Sequence, residues 1–191
     1  MSNPRDVSHY LRPGLLQLPA LPPLSLYVHL PWCLRKCPYC DFNSHEWSGS
    51  GGPPEQRYLD ALIADVEQAL PLVWGRPVHS IFIGGGTPSL FSPESIERLV
   101  SALRARLPLE PECEITLEAN PGTFERERFR AFRDAGITRL SIGVQSFNDA
   151  HLAAIGRVHD AAQARAAVEE AAQAFDTFNI DLMYALPGQT L

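Results

Sequence analysis

The sequence predicts an α/β protein in which five parallel strands form part of a (β/α) barrel, and three observations predict it. Short apolar or β-branched runs ending in Gly, Pro or Asn alternate with longer segments of helical spacing, in the order β-α-β-α-β-α-β-α-β. Such alternation specifies parallel strands joined by helical crossovers. The strands also carry polar residues at every second position, which a sheet covered by helices on both faces does not tolerate. Finally, the clustered cysteines and the glycine run follow strands directly, at the end where barrels and open α/β sheets bind ligands.

The 191 residues suit one domain. Residues 1–23 are Pro-rich, lack periodicity and read as a leader outside the core, which leaves 24–191 as the core domain. LSLYVHL (24–30) is the first strand. Helical spacing follows from Glu55 to Leu70, with Leu59, Leu62, Ile63, Val66 and Leu70 on one side. SIFIGGG (80–86) is the second strand, and the helix from Pro93 to Leu107 takes Ser92 as its N-cap. EITLEAN (114–120) precedes a helix over Phe124 to Ala135, capped by Thr123 and stopped by Gly136. RLSIGVQS (139–146) precedes a helix over Ala161 to Phe175, capped by Asp160, and FNIDLMYAL (178–186) is the fifth strand. No helix follows before Leu191, so the expected sheet has an open edge and the core domain reads as incomplete at its C-terminus.

Composition excludes several classes of function. Sixteen Lys and Arg against 22 Asp and Glu give a net charge of −6 without a basic stripe, the wrong footprint for a nucleic-acid partner. Prolines 13, 19, 22 and 23 interrupt Leu11 to Leu30, so that stretch is neither a transmembrane segment nor a secretory signal, and the expected compartment is cytoplasmic. Three of the four cysteines, Cys33, Cys37 and Cys40, crowd into one short loop, a pattern of metal binding or redox chemistry rather than of disulfides.

That loop is Cys33-Leu-Arg-Lys-Cys37-Pro-Tyr-Cys40. Closed zinc needs a fourth ligand, for which His45 is the nearby candidate, and a non-enzymatic zinc-binding module is the alternative of a different class. A [4Fe–4S] cluster held by three thiolates would instead leave one iron open to another ligand. Cys113 precedes the third strand, at the opposite end of a parallel sheet, and reads as a small semi-buried residue. Gly84-Gly85-Gly86-Thr87-Pro88-Ser89 ends the second strand, where glycines let backbone approach a ligand and exposed amides could meet it. Tyr27 and His29 share a strand face, as do Thr116, Glu118 and Asn120; Ser141, Gly143 and Gln145; and Asn179 and Asp181. Glu118 and Asp181 would need a ligand or counter-charge if buried, and Arg157 is the candidate. His151 and His159 read as surface or capping histidines.

With CxxxCPYC followed in order by GGGTPS, EANP, GVQSF, GRVH and NIDLMYALPGQT, the chain from Leu24 to Leu191 resembles radical S-adenosylmethionine (SAM) proteins. It is most similar to the oxygen-independent coproporphyrinogen III oxidase-like branch, which includes the HemW-type haem chaperones. The resemblance implies a partial barrel of the radical SAM type, with Cys33, Cys37 and Cys40 holding a [4Fe–4S] cluster. It also implies that SAM chelates the open iron through its amine and carboxylate, and is split after transfer of one electron. Tyr27, Tyr39, Gly85, Gly86, Thr87, Glu118, Gln145, Arg157 and Asp181 would then line the SAM site, Glu118 and Asp181 holding ribose or amine and Arg157 the carboxylate. Haem, a haem-accepting protein and an electron donor are the further partners implied, in a protein that delivers haem. The alternative is the oxidase itself, an oxidoreductase of porphyrin biosynthesis. Those oxidases carry a further Cys two residues after the third cluster Cys, where this chain has Phe42, expected to close the loop against the barrel. That difference favours the chaperone-like group. Family members continue past position 191 with a sixth strand and a C-terminal domain, so haem handling is expected there.

Overall fold

The computed structural model describes residues 14, 20–49, 51–73, 75–122 and 126–190. In chain order the elements are β1 (Leu24–Leu30), β2 (Trp32–Cys33), β3 (His45–Glu46), α1 (Glu55–Val73), β4 (Val78–Gly85) and α2 (Pro93–Arg106). They continue with β5 (Leu109–Ala119), α3 (Phe129–Asp134), β6 (Arg139–Gln145), α4 (Asp149–Ala154), α5 (Ala161–Ala174) and β7 (Thr177–Leu182). One sheet runs parallel in the order β1-β4-β5-β6-β7, and β2 pairs with β3 in a separate ladder. Spatial order equal to chain order is the winding of a barrel, in which every crossover returns by way of a helix.

The apolar face of this sheet makes the core. Leu30, Ile83, Ile115, Leu117, Leu140, Ile142 and Val144 are fully buried beneath helices that contribute Leu59, Ile96, Leu99, Phe129 and Phe132. Burying each of these large side chains stabilises the fold by roughly 1.5–3 kcal/mol. Ala164, Ala167 and Ala171 line the inner face of α5, where side chains this small let the helix approach the sheet closely. On the other face, register places Glu118 beside Ser141 and Ser141 beside Asn179, while His29 lies beside Gly84. The alternation of polar residues therefore builds one polar layer across the sheet, as the sequence predicts.

Several boundaries differ from expectation for identifiable reasons. β5 begins at Leu109, earlier than predicted, because Leu109 already pairs with Val78 of β4 before the register shifts and Glu114 meets Ser80; Pro111, with no N–H to give, falls in that break. Cys113 thus lies within a strand rather than before it. α1 runs on to Val73 with Pro71 inside. β7 ends at Leu182, although Met183 N–H still donates to Gln145 O at 2.9 Å before the chain turns away. α3 is only six residues long; the expected cap Thr123 lies outside the described residues, as does most of the leader. Ser92 and Asp160 cap α2 and α5, Asp160 in a reciprocal capping box with Gln163. The ladder of β2 with β3 and the short helix α4 were not expected.

Candidate functional site

The C-terminal ends of the sheet strands surround a cavity of about 380 Å³. Cys33, Cys37 and Cys40 contribute free thiols to one wall. Their loop is fastened to the barrel at several points. His45 N–H donates to Pro31 O at 2.7 Å and Trp47 N–H to Cys33 O at 2.9 Å, while Lys36 Nζ donates to the carbonyls of Phe42 and Ser44. His29 Nε2 lies 2.8 Å from Asn43 O, so that nitrogen carries a proton, and Nδ1 lies 2.9 Å from Tyr27 Oη. Burial pushes the Cys33 thiol pKa up, against hydrogen bonds from Thr87 and Ser44. A thiolate there calls for a positive partner of the kind a metal supplies.

The glycine run forms the next wall, though not as expected. Its amides are already used: Gly85 N–H donates to Glu118 Oε2 at 3.0 Å, Gly86 N–H to Leu30 O and Thr87 N–H to Trp32 O, both at 2.8 Å. What the glycines provide is close approach. A Cβ at Gly86 would lie 2.6 Å from Trp32 O, and Gly85 has a φ of +121° with the His29 ring 2.8 Å from its missing Cβ. Thr87 is buried and its Oγ1 accepts from Asn120 Nδ2 at 3.1 Å.

The carboxylates differ in setting. Glu118 is half-buried, and burial raises its pKa, with Asp181 adding to the rise while the Gly85 N–H and His29 oppose it. Asp181 lies on β7 and accepts from Asn179 Nδ2 at 3.0 Å and Ser141 Oγ at 3.4 Å. Arg157 pairs with neither carboxylate, contrary to expectation. Its Nη2 donates to Asn120 Oδ1 at 2.7 Å and to Gly143 O at 2.6 Å, and its Nη1 approaches Cys37 Sγ and Tyr39 Oη, each at 3.5 Å. Arg157 Nε is buried without a partner. Gln145, also on the cavity wall, has a φ of +66°, and the bond from Ser146 N–H to Val144 O across it makes a γ-turn. Such backbone costs on the order of 1–3 kcal/mol and persists only where its surroundings hold it.

Of the residues singled out from sequence, Tyr39, Gly85, Gly86, Thr87, Glu118, Gln145, Arg157 and Asp181 share this cavity with the three cysteines. Tyr27 is not on its wall; it stacks on Phe82 and bonds to His29, and burial, then the Glu118 charge, raises its pKa. His45 is exposed, bonded to Asn43 Oδ1 and outside the cavity, so it does not complete a zinc site. Among the described residues no three His, Cys, Asp or Glu side chains converge on a point fit for a single ion. A cluster asks something different of three thiols, since its ligands sit on separate irons. Cys113 is buried in the first half of β5, away from the cavity. Phe42 does not close the loop: it is 62% exposed at the cavity mouth. His159 is no surface residue, since it is 4% exposed with Nε2 3.0 Å from Val144 O. Asn120, which the sequence puts on the polar strand face with Glu118 but not among the SAM contacts, also lines the cavity, as does Arg35, which the sequence did not single out.

Comparison with known proteins accords with this arrangement. The family model described as the radical SAM superfamily matches residues 27–191. The chain is 52% identical over 179 residues to the heme chaperone HemW of Haemophilus influenzae, covering 91% of this chain and 46% of that protein. It is 40% identical to the bovine mitochondrial protein named radical S-adenosyl methionine domain-containing protein 1, covering 86% of this chain and 37% of that one. Among solved structures, the coproporphyrinogen III oxidase HemN of Escherichia coli, titled a radical SAM enzyme, superposes with a TM-score of 0.78 at 36% identity, over 88% of this chain and 38% of that one. The chain thus spans less than half the length of each of these relatives.

Proposed function

The chain belongs to the radical SAM superfamily, and from that premise we propose that its cavity holds a [4Fe–4S] cluster on Cys33, Cys37 and Cys40, with SAM beside it, as the core of a haem chaperone. The observation that carries this reading is the placing of all three thiols on one wall of a cavity whose other walls supply a carboxylate, a guanidinium and a glycine-lined floor. Those donors match an aminocarboxylate: Arg157, whose Nε has no partner, suits the carboxylate. Glu118 and Asp181 suit the ammonium group or ribose hydroxyls, and Gln145 and Tyr39 offer neutral hydrogen-bonding groups. When bound, the cluster supplies the electron for reductive cleavage of SAM. The chain's part is to bind, to orient, and through Lys36, His29 and the β2–β3 ladder to keep the cysteine loop in place.

Haem delivery rests on the heme chaperones at 52% and 49% identity and on Phe42 standing where the oxidases have a further Cys. Phe42 offers neither donor nor acceptor at the cavity mouth. Haem, the haem-accepting protein and the electron donor would engage the whole protein, and four free thiols suit a reducing, cytoplasmic compartment. The test is anaerobic incubation of the reconstituted whole protein with reductant, SAM and coproporphyrinogen III. No protoporphyrinogen, together with transfer of bound haem to an apo-acceptor, is expected. Protoporphyrinogen formed over many turnovers would establish the oxidoreductase reading instead, which the likeness to the oxidase structure keeps in view.

A further inference from the structure

Arg157 enters the cavity from a segment that lies between two helices. α4 ends before it, α5 begins only at Ala161, and the residues between need an anchor. His159 supplies one: it is 4% exposed, and its Nε2 lies 3.0 Å from Val144 O. A carbonyl can only accept, so Nε2 carries the proton. The adjacent carbonyl, Gly143 O, accepts from Arg157 Nη2 at 2.6 Å. Arg157 and His159 therefore grip consecutive carbonyls at the end of β6. Val144 O is also the acceptor of the γ-turn across Gln145, so the imidazole holds the same turn that presents Gln145 to the cavity.

We propose that His159 is a positioning residue for the SAM site: its bond to Val144 O fixes the end of β6 and thereby holds Arg157 in reach of the SAM carboxylate. This rests on the reading of the cavity as a SAM site. Burial and the Arg157 charge keep the ring neutral near pH 7, which preserves a single Nε2–H donor. The other ring nitrogen, Nδ1, is buried without a partner, so the bond to Val144 is the ring's polar contact with the fold.

Glutamine carries a carboxamide nitrogen near the ε position of histidine and can donate to Val144 O, whereas asparagine reaches only the δ position. SAM affinity is measured by anaerobic calorimetry on reconstituted protein, with iron content and the thermal melt recorded for each variant. His159→Gln should bind SAM near the wild-type level. His159→Asn should bind roughly tenfold more weakly, about 1.4 kcal/mol, with its iron content unchanged. In an Arg157→Gln background the asparagine substitution should cost much less, because His159 acts chiefly through Arg157 and only secondarily through the Gln145 turn. Equal affinity of His159→Asn and wild type, beside a weakened Arg157→Gln, would overturn this proposal alone. So would an undiminished effect of His159→Asn in the Arg157→Gln background. A wild-type protein that holds its cluster yet takes up no SAM would remove the reading of the cavity and this proposal with it.

Discussion

At the scale of single residues, His159 and the cysteines make the sharpest claims. Burial, reinforced by the Arg157 charge and opposed by the Val144 bond and Asp160, lowers the His159 pKa from 6.5 to about 4. A histidine held neutral in the fold but protonated once unfolded contributes stability that is full above pH 6.5 and lost as pH falls towards 4. At about 1.4 kcal/mol per unit the loss is roughly 3 kcal/mol. Urea unfolding of the wild type and His159→Gln across that range checks it: the substitution should flatten this part of the pH dependence, and an unchanged slope would contradict the assignment. For the cysteines, Ser at position 33, 37 or 40 should abolish iron retention after anaerobic reconstitution, and Cys113→Ser should keep it. Cys113 sits in the first half of β5, and loss of iron in that variant would place it in the cluster set. The sequence spacing made the three cysteines legible. It could not expose His159, because a lone histidine two residues after an arginine looks the same whether buried or not, and only the return of this segment onto the end of β6 decides the matter.

At the scale of elements, α4 determines how Arg157 arrives. Gly156 N–H donates to Ala153 O at 3.0 Å and Arg157 N–H to Leu152 O at 3.0 Å, the pair of bonds of a Schellman ending, with Gly156 at φ +73°. The residue after that glycine is the cavity arginine. Gly156 also lets the helix end meet the cysteine loop, since a Cβ there would stand 2.7 Å from Pro38 Cδ. Gly156→Ala combines a left-handed backbone with that clash and should destabilise the protein by about 1–3 kcal/mol. The urea midpoint should drop and iron retention fall, while far-UV circular dichroism stays unchanged; wild-type values for both would show that the loop and α4 do not lean on each other. A helix of six residues gives less than two turns of periodicity, which hid α4, and the ladder of β2 with β3 is too short to show a period of two. The glycine run was legible as an approach point but misread as a source of free amides. The end of β1 and the start of β2 bring the Leu30 and Trp32 carbonyls onto Gly86 and Thr87, and that pairing is not local in sequence.

At the scale of the molecule, the two faces of one sheet divide the labour. The helices cover the apolar face, and the polar layer of His29, Glu118, Ser141 and Asn179 lies on the other. This division was legible because a parallel sheet covered on both sides has no use for alternating polar residues. Everything proposed for the cavity turns on a cluster with one iron left open for SAM, and the electron paramagnetic resonance spectrum of the reconstituted, reduced protein before and after addition of SAM tests that claim. A [4Fe–4S] signal whose g values shift on addition of SAM is predicted; a cluster signal that stays the same at saturating SAM would contradict it.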